Sequence, residues 1–146
     1  MRLIITTVLI LALAPLSARA QPADPDSKAI RETALDYIEG WYEGNVERMT
    51  RALHPELVKR IVITDKGVSR IEAMGASKLI SNVRNGGGTK TPLDRQQKDV
   101  TILDRFESAA VVKIIASDWI DYLQLAKFNN RWVIVNVLWE MKPKKP

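Results

Sequence analysis

The chain contains no cysteine among its 146 residues, so disulfides, thiolate metal sites and a lipid-modified cysteine are all excluded. It has a single histidine, His54, which rules out a histidine metal cluster and leaves any nucleophile-His-Asp triad resting on that one imidazole. Long apolar runs are missing too. Residues 3–14 form the longest, well short of the roughly 20 residues that a membrane-spanning helix needs. The one glycine cluster, Gly86-Gly87-Gly88-Thr89-Lys90, lacks the spacing of a phosphate-binding loop and follows a helical pattern instead of opening one. It reads as a flexible loop that can act as a lid.

What is present begins with a targeting pattern. Met1-Arg2 is a short positive start, the apolar run follows, and Ala18-Arg19-Ala20 has the small-x-small form that signal peptidase accepts. The expected organisation is a signal peptide over 1–20 cleaved after Ala20, a leader over 21–26, one domain over 27–141 and a basic tail over 142–146. The mature protein is then exported, periplasmic or secreted, with no stable membrane anchor. Loss of Arg2 and Arg19 lowers the formal net charge from +5 to +3. Only the tail, with Lys142, Lys144 and Lys145, clusters positive charge, and no stacking aromatics accompany it, so no nucleic-acid partner is expected.

Apolar residues at helical spacing (Ile30, Ala34, Tyr37, Ile38, Trp41) predict a helix capped by Asp26 or Ser27 and stopped at Gly44. Asn45 caps a short second helix, which Pro55 ends. Two segments rich in β-branched residues, 57–64 and 68–73, flank Asp65-Lys66-Gly67 as a hairpin, and 77–84 is a third helix. Four strands follow, over 98–103, 109–116, 119–128 and 131–140. Helices at the start and strands at the end predict an α+β fold with helices packed on a curved antiparallel sheet.

The last hairpin allows a finer expectation. If Asn129-Asn130 is a two-residue turn, Phe128 faces Arg131 and counting outward assigns every side chain to a face. One face holds Ile120, Tyr122, Ala126, Val133, Val135, Val137 and Trp139. The other holds Trp119, Asp121, Leu123, Leu125, Trp132, Ile134, Asn136 and Leu138. Both are mainly apolar, so both need covering: one by the long helix, the other by a second copy in a symmetric homodimer. The face carrying Asp121 and Asn136 has the composition of a small-ligand cleft, few polar groups among many apolar ones.

The stretch Tyr37-Ile38-Glu39-Gly40-Trp41-Tyr42-Glu43-Gly44-Asn45, the segment 49–57 with His54-Pro55, and Ser117-Asp118-Trp119-Ile120-Asp121-Tyr122-Leu123 followed by Asn130-Arg131-Trp132-Val133-Ile134-Val135-Asn136 resemble the putative lumazine-binding branch of the nuclear transport factor 2-like superfamily. The resemblance spans about residues 27–141 and implies that superfamily's cone. That cone serves isomerases, dehydratases, cyclases and purely binding or dimerising modules, so it does not by itself choose a function. Catalytic relatives place a carboxylate, a histidine or a tyrosine inside the cone. Asp121, His54 and Tyr37 are the corresponding candidates here, although no strict catalytic motif matches residue by residue.

Each candidate has two readings. His54, before a proline at a helix exit, suits a backbone hydrogen bond that fixes the turn, and also suits acid-base work. Tyr37 and Trp41 are core aromatics or lining for the open end of the cone. Asp121 is a locally satisfied polar group, or a general base if apolar surroundings raise its pKa. Asp118 and Asp121, three apart in a strand, would face opposite sides and form no glycosidase-type dyad. The leading expectation is a binding module, without cofactor or metal, that holds a small apolar or aromatic molecule against Tyr37, Trp41, His54, Trp119, Asp121 and Asn136. Its alternatives are a cofactor-independent isomerase or dehydratase of small carbonyl compounds with Asp121 as base, and a ligand-free dimer scaffold.

Overall fold

The computed structural model describes residues 24–143. The expected signal peptide, residues 21–23 of the leader and residues 144–146 of the tail lie outside the described residues. Helix α1 (Pro25–Glu43) starts earlier than the Asp26 or Ser27 cap predicts. Asp24 is the cap: its carboxylate accepts from the Asp26 amide at 3.0 Å and from the Ser27 hydroxyl at 2.6 Å, while Pro25 sits in the first turn, where a missing N–H costs nothing. Gly44 at φ 64 ends the helix in the left-handed conformation. Helix α2 (Val46–Ala52) is capped by Asn45, whose side-chain oxygen accepts the Arg48 amide at 3.1 Å.

Arg48 ties the two helices together. Its guanidinium reaches Asp36 at 3.0 Å, Glu43 at 2.9 Å and Glu39, and Arg51 adds a second pair to Asp36 at 2.7 Å. Burial opposes ionisation of Asp36 and Glu39, but their arginine partners, with Lys98 for Glu39, outweigh it and hold both carboxyls below their ordinary range. A depressed carboxyl stabilises the fold fully above its unfolded value and loses that contribution as pH falls through the folded one. Urea unfolding should therefore show stability declining below about pH 4.5, with a shallower decline in Arg48→Met. An unchanged acid profile in that variant would remove the cluster from the account.

Strands β1 (Leu53–Asp65) and β2 (Val68–Gly75), helix α3 (Ala76–Arg84), a short 3-10 turn (Leu93–Arg95), and strands β3 (Lys98–Phe106), β4 (Ala109–Ala116), β5 (Trp119–Phe128) and β6 (Arg131–Met141) complete the chain. They form one six-stranded sheet in the order β2-β1-β6-β5-β4-β3. The expected α+β architecture holds, with helices on a curved and mainly antiparallel sheet. One pairing departs from it: β1 runs parallel to β6. Strand β1 also begins before Pro55. The β1–β6 ladder breaks between Leu53 and Val58, so the proline falls where no register pair is made.

The Asn129-Asn130 turn has φ 48 and 61, and pairing runs from Phe128↔Arg131 to Leu125↔Ile134 as counting predicts. There the register shifts. Gln124 pairs with Asn136, leaving Val135 as the extra residue of a β-bulge, and every later side chain of β6 changes face. Val137 and Trp139 therefore point inward beside Leu123 and Asp121, while Asn136 and Leu138 point outward, the reverse of the expected assignment. The core lies between α1 and the inner face, with Ile30, Ile38, Leu57, Ile114, Leu123 and Ile134 essentially inaccessible. No described helix is long and apolar enough to cross a membrane.

Candidate functional site

The open end of the inner face and the helices opposite it enclose a cavity of about 270 Å³. Helix α1 brings Tyr37 and Trp41, four residues apart and so on one side, to its wall. Alternation along β1 turns Leu57, Lys59 and Ile61 inward. Strand β5 contributes Trp119, and the bulge in β6 delivers Trp139 and Met141. Met49, Met74, Leu79, Asn82 and Asp118 close the remainder. Trp41 and Trp119 meet edge to face, with ring centroids 6.2 Å apart. Three indoles and three thioethers give a polarisable, mostly apolar lining.

One polar network is built into this wall. Lys59 Nζ donates to Asp121 Oδ1 at 2.5 Å and to the Tyr37 hydroxyl at 2.6 Å, and lies 4.7 Å from the centroid of a Trp139 ring. Trp119 Nε1 donates to Asp121 Oδ2 at 2.6 Å. Asp121 is 0% exposed and Lys59 7%. Burial pulls the Lys59 amine below its ordinary pKa, against the pull of Asp121, and pushes the Tyr37 phenol well up, with the Asp121 charge adding to that rise. Tyr37 therefore stays a neutral phenol. Trp139 Nε1 is buried without a hydrogen-bond partner.

Tyr37, Trp41 and Trp119 thus lie on the cavity wall. Asp121 does not: it sits behind Lys59 and Trp119, which take one of its oxygens each. Its expected role as a base toward a ligand lacks a carboxylate oxygen at the cavity surface. His54 is also off the wall. Its Nδ1 accepts the Glu56 amide at 3.2 Å and its ring packs on Phe128 at 4.6 Å, the turn-fixing arrangement. Asn136, turned outward by the bulge, bonds Gln124 at 3.2 Å and Arg60 at 3.3 Å.

Two further expectations change. Asp118 lies in the β4–β5 turn and not in a strand, so alternation does not govern it, and it reaches the cavity rim. The glycine loop is not an open lid: Gly88 is buried and donates its N–H to the Trp41 carbonyl at 2.8 Å. The wall residues missed by reading the sequence include Lys59, Trp139, Leu79, Asn82 and the methionines. A lysine between Leu57 and Ile61 in an alternating strand was an available signal. Among the described residues, no three His, Asp or Glu side chains gather to hold a metal.

The family model described as "Putative lumazine-binding" matches residues 25–140, nearly the whole described domain and every residue of the cavity wall except Met141. The chain belongs to this family. Solved structures resemble it in fold. A nuclear transport factor 2-like protein of unknown function from Shewanella baltica OS155 is 19% identical over 82% of this chain and 95% of its own, with a TM-score of 0.65. One from Methylobacillus flagellatus KT is 20% identical over 84% and 97%, again at 0.65. A ketosteroid isomerase-like protein from Erwinia carotovora atroseptica SCRI1043 is 8% identical over 83% and 99%, at 0.53. No curated protein matches the chain. The protein is a nuclear transport factor 2-like cone of the lumazine-binding family, and that family description points to a small-molecule ligand.

Proposed function

We propose that this protein is an exported binding module that holds a flat apolar or aromatic molecule in the cone. The observation that carries the reading is the cavity itself, about 270 Å³, walled by Trp41, Trp119 and Trp139 with Met49, Met74 and Met141. Such a wall offers large contact area to a planar ring system, while its buried charges already satisfy one another. The space also argues against a cone filled by its own side chains. A mechanism using Asp121 as base is disfavoured because Lys59 and Trp119 occupy both carboxylate oxygens. Export rests on the leader pattern over 1–20, with a mature chain beginning at Gln21.

The module pairs with a second copy through the outer sheet face, where Val62, Tyr122 and Leu138 are exposed by 53%, 42% and 55%. Native mass spectrometry of the protein from its exporting host reads both features together. A dimer of chains beginning at Gln21, carrying a small mass lost on denaturation, is the expected result; a monomer would remove the second copy. Lumazine is the first ligand to titrate, because the family description names it. It should quench the indole fluorescence, and Trp41→Ala should weaken binding about tenfold, near 1.4 kcal/mol. Equal affinity in that variant would place the ligand elsewhere.

A further inference from the structure

Lys59 is the nucleophilic amine of the cavity wall, and holding an apolar molecule gives it no task. Lysine is almost never fully buried unless paired, and this one projects from the middle of a strand onto the cavity wall. Its surroundings match the demands of imine chemistry. A proton acceptor lies at 2.5 Å in Asp121, a neutral phenol lies at 2.6 Å in Tyr37, and an aromatic face lies beside the nitrogen in Trp139. Trp119 fixes the far oxygen of the carboxylate, so the acceptor is held in place.

We infer that Lys59 captures aromatic or apolar aldehydes and ketones as a covalent imine inside the cone, a reading that rests on the binding cavity and names a ligand class for it. The Nζ proton passes to Asp121 Oδ1, and the freed lone pair forms a bond to the carbonyl carbon while the C=O π pair moves to oxygen. Tyr37 relays one proton from the nitrogen to that oxygen, giving the neutral carbinolamine. Asp121, which is off the cavity wall, then returns its proton through the Tyr37 hydroxyl to the carbinol hydroxyl, water leaves, and the nitrogen lone pair closes the C=N bond. The balance is ammonium plus carbonyl to iminium plus water, with no oxidant, reductant or other reactant. A positive nitrogen faces the Asp121 carboxylate at the beginning and at the end, so the product inherits the ion pair that stabilises the resting lysine. Burial favours the free amine here relative to exposed lysines, which remain protonated near neutral pH.

The test uses benzaldehyde with sodium cyanoborohydride, which fixes an imine as a stable secondary amine, followed by denaturing mass spectrometry and peptide mapping. The expected result is one adduct at Lys59, formed at least about tenfold faster than at any exposed lysine, slowed by competing benzyl alcohol and lost in Lys59→Arg. Tyr37→Phe should slow the adduct by a larger factor than it changes the affinity for benzyl alcohol read by indole quenching. Mapping of the unaltered protein decides the matter even if a variant fails to fold. Adducts spread evenly over exposed lysines, with Lys59 no faster, overturn the imine. If benzyl alcohol still quenches the indoles in that case, the cavity remains a binding site and only the covalent step falls. If neither compound quenches, the binding reading falls with it.

Discussion

Asp121→Ala is expected to destabilise the domain by about 3–5 kcal/mol, among the largest effects a single substitution can have here, because it strands a buried ammonium. Lys59 is 7% exposed, and its remaining neighbours are a phenol oxygen and an indole ring, neither of which carries the charge to balance it. Trp119 Nε1 loses its acceptor in the same step. The double variant Lys59→Met/Asp121→Leu should recover most of the loss, since a buried pair is worth little against well-packed apolar residues although half a pair is costly. Urea unfolding at pH 7 measures both. A single-variant cost below about 1 kcal/mol would mean that water or a rearranged Lys59 already compensates the charge.

The pH dependence sharpens this expectation. Lys59 binds its proton less tightly when folded than when unfolded, so between the lowered folded value and the unfolded 10.5 the unfolded chain holds more protons. Stability contributed by this group therefore rises with pH across that window. Removing Asp121 takes away the influence that raises the folded value, so the window extends further down. The deficit of Asp121→Ala relative to the unaltered protein should accordingly narrow between pH 7 and alkaline pH. A constant deficit would show that lost packing, and not charge, dominates.

The same few residues show how far the sequence can be read. The α+β order, the α1 stripe and the Asn129-Asn130 turn are local patterns, and each appears in the fold, the turn with φ 48 and 61. Tyr37, Trp41 and Trp119 reach the cavity because helical and strand periodicity place them on the inner side. The bulge at Val135 has no such local signature, since β6 carries neither glycine nor proline there. One unseen insertion exchanged Asn136 for Trp139 at the site. Lys59 escaped for a different reason: a charged residue is ordinarily assigned to solvent, and its partner lies 62 positions away on a strand that only the tertiary fold brings near. His54 is a contrary case, because the local chemistry of a residue before proline was sufficient to account for it.

The glycine loop offers the second large effect. A Cβ on Gly87 would lie 2.7 Å from the Trp41 carbonyl oxygen, and its φ of 49 disfavours any L side chain. Gly87→Ala should cost about 1–2 kcal/mol for the left-handed backbone and about 1–3 kcal/mol for crowding. Gly67→Ala is the control. It shares a positive φ, 80, but has nothing within 4 Å, so it should lose only the backbone part. Gly88 makes a different demand, because its Cβ would lie 2.5 Å from Trp41 Nε1 and 2.6 Å from Cδ1, against side chain instead of backbone. In Gly88→Ala the indole must swing away, breaking its edge-to-face contact with Trp119 and removing one wall of the cavity. Near-ultraviolet circular dichroism should change, and ligand affinity should fall about tenfold or more, at a stability cost of about 1–3 kcal/mol. Unchanged dichroism and affinity in Gly88→Ala would mean that the loop moves more easily than Trp41, returning to residues 86–88 the lid role that their packing here opposes.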